Sequence, residues 1–247
     1  MHPVLLQQGD FVLHSHTLLL SLAFVVGGLV RRAESRRLGY GARPGYRWVA
    51  VGALIGAVVG AKLGMLLYVG AREWRAVLTE LAQLETSGKT VIGALIGGYA
   101  GVEITKKLAG VSGSTGDAFA IAVPLSLGIG RIACLLGGCC YGTPTDWPWH
   151  VHLAGADRHP VQLYEAALDM ALAALIYTQR AAPRPAGDLF KLSLLGYALI
   201  RVGLDPLRGD ARVWLGPLSA VQLVCLLAAA VLWLAMRRGE PRAYVAS

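Results

Sequence analysis

Seven blocks of mostly apolar residues, 11–30, 48–70, 90–105, 117–140, 161–179, 189–206 and 217–236, alternate with short polar stretches along the chain. A helix needs about 20 residues to cross the hydrocarbon of a bilayer. The pattern therefore predicts an all-α polytopic membrane protein, with seven transmembrane helices in a single bundle over 1–247 and no separate soluble domain. Two blocks are glycine ladders: Gly52, Gly56, Gly60 and Gly64 recur every fourth residue, and so do Gly93, Gly97 and Gly101. Fourfold spacing puts each set on one helix face, where small residues let backbones approach. Between the blocks, Trp74, Val77, Leu78, Leu81 and Leu84 recur at helical spacing and predict an amphipathic interfacial helix within 71–89. Trp147 and Trp149 suit an aqueous boundary.

Composition removes the soluble alternative. Hydrophobic residues make up 55% and charged residues 15% of the chain, against about 25% charged in soluble domains. The net charge of +8 lies mainly in the loops. Arg31, Arg32, Arg36, Arg37, Arg43 and Arg47 fill the first loop, and Arg237, Arg238 and Arg242 the tail. The opposite loops are poorer in lysine and arginine. The positive-inside bias puts the N-terminus outside and the C-terminus in the cytoplasm. This distribution fits topology and anionic lipid, so no nucleic-acid partner is expected. No basic stretch precedes the first block, which is read as a retained helix and not a cleaved signal.

An ionisable residue inside a span costs about 2.5–3.5 kcal/mol on insertion scales and is a functional candidate by default. Arg131 lies in the fourth block within GRIACLLGGCCYG (130–142), where the helix is expected to break near Gly137 and Gly138. Arg131 and Cys134 share a face. Tyr197, Arg201, Asp205 and Arg208 form a second polar stripe, in which Arg201 and Asp205 also suit a plain i, i+4 pair. Gln162, Glu165 and Asp169 form a third, on a helix opened by His159 and Pro160. Lys62 stands deep in the second block, and Asp117 is placed to cap the fourth. Guanidinium groups bind phosphate bidentately. Arg131, Arg201 and Arg208 with Asp205, Gln162 and Glu165 thus predict a phospholipid-headgroup site in the outer half of the bundle. Cys225 reads as packing. The spacing of Cys134, Cys139, Cys140, His150, His152 and His159 matches no familiar zinc pattern, and no metal or cofactor is expected.

These same segments resemble the prolipoprotein diacylglyceryl transferase family. GAVVGAKLGMLLY (56–68), the stretch from Asp117 through GRI (130–132) to YGTPT (141–145), RHPVQLYEA (158–166) and GYALIRVGLDPLR (196–208) match its motifs in order. The resemblance implies a seven-span inner-membrane enzyme that moves diacylglyceryl from phosphatidylglycerol to the lipobox cysteine of a lipoprotein precursor. It implies a phosphate held by Arg131 and Arg201, with Lys62, Gln162, Glu165, Asp205, Arg208 and Gly142 around the substrate. The chain departs from the family pattern at several points. Ile92-Gly93-Ala94 stands where His-Gly-Gly is usual, Cys134 replaces asparagine and Cys139 replaces glutamate. His16 replaces an N-terminal tyrosine, and Asp205 replaces a glutamate. Three functions remain open at this point. One is a transferase whose base is His14 or His16. Another is a related lipid enzyme using a cysteine thiolate at Cys134 or Cys139 as nucleophile or redox group. The last is a non-catalytic lipid-binding paralogue or complex subunit.

Overall fold

The computed structural model describes residues 4–8, 11–40, 44–64, 90–211 and 213–238. Seven α-helices appear there: α1 (Ser15–Arg37), α2 (Tyr46–Leu63), α3 (Val91–Leu108), α4 (Ala122–Gly137), α5 (Val161–Gln179), α6 (Asp188–Leu204) and α7 (Ala220–Arg237). Three short antiparallel hairpins accompany them: β1 (Val4–Gln8) with β2 (Phe11–His14), β3 (Val151–Leu153) with β4 (Ala156–Arg158), and β5 (Val213–Leu215) with β6 (Leu218–Ser219). The fold is thus mostly helical rather than purely so. The start of the first apolar block is strand: Phe11–His14 pairs with Val4–Gln8, and α1 begins only at Ser15. A short apolar run rich in β-branched and aromatic residues fits a strand as well as a helix. The end of α2 as expected (65–70) and the interfacial segment 71–89 lie outside the described residues.

Among the described residues, four helical stretches are long and apolar enough to cross a membrane: Ser15–Arg37, Tyr46–Leu63, Gly116–Gly137 and Ala220–Arg237. α3, α5 and α6 occupy the other expected places but carry charged residues.

Contacts divide the chain into two compact units. The first contains α1 and α4 to α7. In it, α1 packs on α4, α4 on α5, α5 on α6 and α6 on α7. Its solvation pattern is inverted relative to a water-soluble domain. Phe24 and Leu29 on α1 are each 62% exposed and Leu227 on α7 is 67% exposed, whereas Arg131, Glu165, Asp169, Arg201 and Asp205 are buried. Apolar surface left in water forgoes about 25 cal/mol per Å²; against lipid tails nothing is lost. Buried charge, in turn, is expected where a membrane bundle turns its polar residues inward.

The second unit is the glycine-ladder pair. α2 and α3 run antiparallel so that Gly52 faces Gly101, Gly56 faces Gly97 and Gly60 faces Gly93. A Cβ at Gly56 would overlap the Gly97 carbonyl oxygen, and one at Gly97 would overlap that of Gly56. The string GALIG occurs at 52–56 on α2 and again at 93–97 on the facing α3, and backbone contact replaces side-chain packing. Thr90 caps α3, its Oγ1 accepting from Gly93 N at 3.1 Å.

Asp117 serves a different helix from the one expected. It lies in a 3₁₀ turn (Gly116–Phe119) ahead of α4. Its carboxylate accepts from Gly187 N at 2.7 Å and from Phe190 N at 3.0 Å, the opening amides of α6. Gly187, at φ +95°, offers no side-chain acceptor of its own, so the carboxylate from another segment satisfies the exposed donors and the helix dipole.

Candidate functional site

Three elements of the first unit build the site. Pro160, which cannot donate a backbone hydrogen bond, stands just before α5. Gln162, Glu165 and Asp169 then share the face turned into the unit and are all buried. α4 brings Arg131 to this face, and the turn after α6 brings Arg208. Glu165 Oε1 lies 2.7 Å from Arg131 Nη2, and Oε2 lies 3.4 Å from Arg208 Nη1. One carboxylate therefore bridges two guanidinium groups contributed by different segments. Arg208 is also held by Asp210, at 2.9 Å from Nε and 2.8 Å from Nη2.

Arg201 sits apart from this bridge in its pairing. It contacts Asp205 at 2.9 Å, the i, i+4 pair its spacing allowed. Asp205 in turn accepts from Ser219 Oγ at 2.5 Å. Ser219 opens α7 through a capping box with Gln222, so the Arg201–Asp205 pair is tied to the start of the next helix. Asp169 carries two buried oxygens with no hydrogen-bond partner, and Tyr197 Oη and Arg201 Nη1 are likewise unpartnered. Tyr197 lies within electrostatic reach of Arg131, Arg201, Glu165 and Asp169. Buried polar atoms without a partner are uncommon in folded proteins, and these belong to one electrostatic cluster with Arg131 and Glu165.

Gly142 has a positioning place. Its segment pairs with Arg208 as an isolated bridge, with Thr143 N donating to Leu207 O at 2.8 Å and Gly209 N to Tyr141 O at 3.0 Å. The Gly142 carbonyl accepts from Arg158 Nη1 at 3.1 Å. A Cβ at Gly142 would overlap the His159 carbonyl oxygen and come within 2.7 Å of Val161 Cγ2. The glycine thus lets the Arg208 strand and the α5 entrance converge.

The cysteine turn follows from the helix end. α4 stops at Gly137, and Gly138 is left-handed at φ +73°. Gly138 N then donates to Leu135 O at 3.2 Å and Cys139 N to Cys134 O at 3.1 Å. This is a Schellman cap, in which the residue after the left-handed glycine folds back on the helix's last turn. The cap carries Cys139 to Cys134, and Cys139 Sγ lies 3.6 Å from Cys134 O. Cys140 follows with an uncommon positive φ of 56° and stands within electrostatic reach of Arg131 and Arg208. Gln162 Nε2 donates to Cys139 O at 2.7 Å, joining the turn to the Glu165 helix.

His16, from the first turn of α1, packs on Gly137, whose Cβ would lie 3.2 Å from His16 Cβ. The donor atoms of His16, Cys134 and Cys139 all lie within 4.8 Å of one another. His16 therefore meets the thiols. Lys62 lies in the last turn of α2 in the second unit. Sequence reasoning had not placed Asp210 or Ser219 in the cluster. Their neighbours in the chain, Arg208 and Gln222, were the available signal.

Beside the site, Trp147 and Trp149 meet edge to face at 4.8 Å. Trp149 Nε1 donates to Tyr164 Oη at 2.7 Å. With His159 and Leu207 they line an open recess. In the adjoining hairpin, the His152 ring at 2.9 Å and the nearby His150 hold the exposed Asp157 carboxyl below its ordinary value.

Comparison with known proteins identifies the family of the chain. The family model for prolipoprotein diacylglyceryl transferase matches residues 3–237. The phosphatidylglycerol–prolipoprotein diacylglyceryl transferase of Bordetella avium is 32% identical over 208 residues, covering 81% of this chain and 78% of the relative. That of Rhodospirillum rubrum is 30% identical over 262 residues, covering 98% and 94%. The corresponding enzyme of Clostridium tetani is 28% identical over 245 residues, covering 92% and 93%.

Proposed function

The chain belongs to the prolipoprotein diacylglyceryl transferase family, and from that membership we infer that it transfers the diacylglyceryl group of phosphatidylglycerol to a prolipoprotein. We further propose that the acceptor is a cysteine thiol and that the reaction takes place in the outer half of a bacterial inner membrane. In this reading the seven helices all span, with the N-terminus outside. The observation that carries the site assignment is the buried bridge of Arg131 and Arg208 on Glu165.

The reaction breaks the bond between the glyceryl carbon and its phosphate oxygen and forms a carbon–sulfur bond. Glycerol phosphate leaves, and the thiol proton is released. The phosphate of the lipid takes the place of Glu165 between Arg131 and Arg208. Two guanidinium groups can meet the charge that builds on the leaving oxygens, and fixed donors in a water-poor site act more strongly than they would in water. Arg201, anchored by Asp205 and Ser219, holds the adjoining wall and adds positive field through its free Nη1. Gly142 keeps Arg208 in place, and Gln162 keeps the cysteine turn beside it. The acceptor thiol must react as thiolate, and His16 is an imidazole within 4.8 Å of the Cys134 and Cys139 thiols.

The test is complementation of a strain in which the resident diacylglyceryl transferase is depleted. Rescue by the wild-type chain, with loss of rescue by a membrane-inserted Arg131→Ala, supports the reading. A well-expressed, inserted wild type that leaves the precursor unlipidated overturns it.

A further inference from the structure

We propose that His16, Cys134 and Cys139 form a zinc site with three protein ligands, whose fourth position takes the acceptor thiol. The second half of this statement rests on the transferase reading above; the site itself does not.

The three donors come from two helices and a cap. His16 stands at the start of α1, Cys134 in the last turn of α4, and Cys139 just after the left-handed Gly138. Their ligand atoms already lie within 4.8 Å of one another. Zn–S distances of about 2.3 Å and Zn–N distances of about 2.0 Å imply tetrahedral edges of roughly 3.5–3.8 Å. Closure by about 1 Å therefore completes the set. Two thiolates and an imidazole suit a soft or borderline cation, and zinc accepts this donor set in sites that keep an open position.

The surroundings suit a metal more than simple packing. The Cys139 carbonyl is fixed by the buried Gln162, which orients the ligand turn from the next helix. Gly137 leaves His16 room to lie against α4. The positive φ of Cys140 shows a backbone held against its preference directly beside the ligands. Two thiolates with one dication make a neutral unit, which can lie beside the Arg131–Glu165 pair without adding net charge. An acceptor thiol entering the open position loses its proton on coordination and faces the arginines that hold the phosphate. Its sulfur then attacks the glyceryl carbon, glycerol phosphate departs and the thioether dissociates from the metal. The proton leaves with water or the released phosphate.

The experiment uses the full chain in detergent, reduced with a phosphine and desalted, with zinc ion alone as the probe. About one tightly held zinc per chain is expected. In the wild type, bound zinc should protect Cys134 and Cys139 from alkylation, read peptide by peptide, while the labelling of Cys225 stays unchanged. Cys134→Ser, Cys139→Ser and His16→Ala should each weaken zinc binding about tenfold or more, whereas Cys225→Ser should not. Absence of bound zinc, or equal alkylation of Cys134 and Cys139 with and without it, overturns the site, and this result needs no variant to fold. Zinc bound with protection but no transfer in any metal state keeps the site and overturns the transferase reading. Transfer at full rate with no zinc bound does the reverse.

Discussion

Glu165 contacts Arg131 through one carboxylate oxygen at 2.7 Å and Arg208 through the other at 3.4 Å. A buried charge that loses its partner costs about 3–5 kcal/mol. Glu165→Ala leaves two guanidinium groups facing each other and is expected to destabilise the chain by about that much. Glu165→Gln keeps an oxygen acceptor and should cost less. Thermal unfolding in detergent, compared across the two variants, checks the order.

The α2–α3 contact predicts a steep size dependence. Gly56→Ala and Gly97→Ala each push a methyl group into the opposite backbone, and overpacking of this kind costs about 1–3 kcal/mol. Gly28→Ala on α1 is the control. Nothing lies within 4 Å of its Cβ position, and alanine is favoured over glycine in a helix by about 1 kcal/mol. The ladder variants should melt lower than wild type and Gly28→Ala at or above it.

Asp117 is predicted to act on α6, not on its own segment. Asp117→Ala removes the acceptor for Gly187 N and Phe190 N. Lost caps cost about 0.5–2 kcal/mol, and a donor left buried adds to this. Hydrogen exchange should rise first at residues 188–191. An increase confined to the start of α4 would contradict the assignment.

The β3–β4 hairpin carries a pH signature. The hydrogen bond from His152 lowers the Asp157 pKa, so the folded carboxyl titrates below its unfolded value of about 3.9. The stabilisation is fully present above that value and is lost as pH falls through the lower folded pKa. Carbon-detected NMR of the Asp157 carboxyl should show the depressed titration. His152→Ala should move it upward.

Much of this arrangement was legible in the sequence, and the rest was not for definite reasons. α5 spans the expected 161–179, because Pro160 marks its entry and the Gln162–Glu165–Asp169 stripe forces one face inward. The end of α4 was legible from the glycine pair at 137–138. The partners of Arg208 were not, since the sequence groups it only with the Tyr197–Arg201–Asp205 stripe and the structure pairs it with Glu165 and Asp210. The meeting of His16 with Cys134 and Cys139 depends on α1 packing against α4 and on the cap geometry, and neither leaves a ligand spacing along the chain. Strand β2 was hidden at the start of the 11–30 apolar run, which does not distinguish strand from helix by composition.

The most direct test of the central claim is transfer by the purified chain in phosphatidylglycerol vesicles, with a lipobox peptide as acceptor and glycerol phosphate release as the readout. Wild type should release glycerol phosphate and form the lipidated peptide in equal amounts. Arg131→Ala and Arg208→Ala should each lower the rate by about 10²–10³-fold, the usual loss when one donor to developing charge is removed. Unchanged turnover in both variants, with the wild type active, would contradict the assignment of these two arginines to the reacting phosphate.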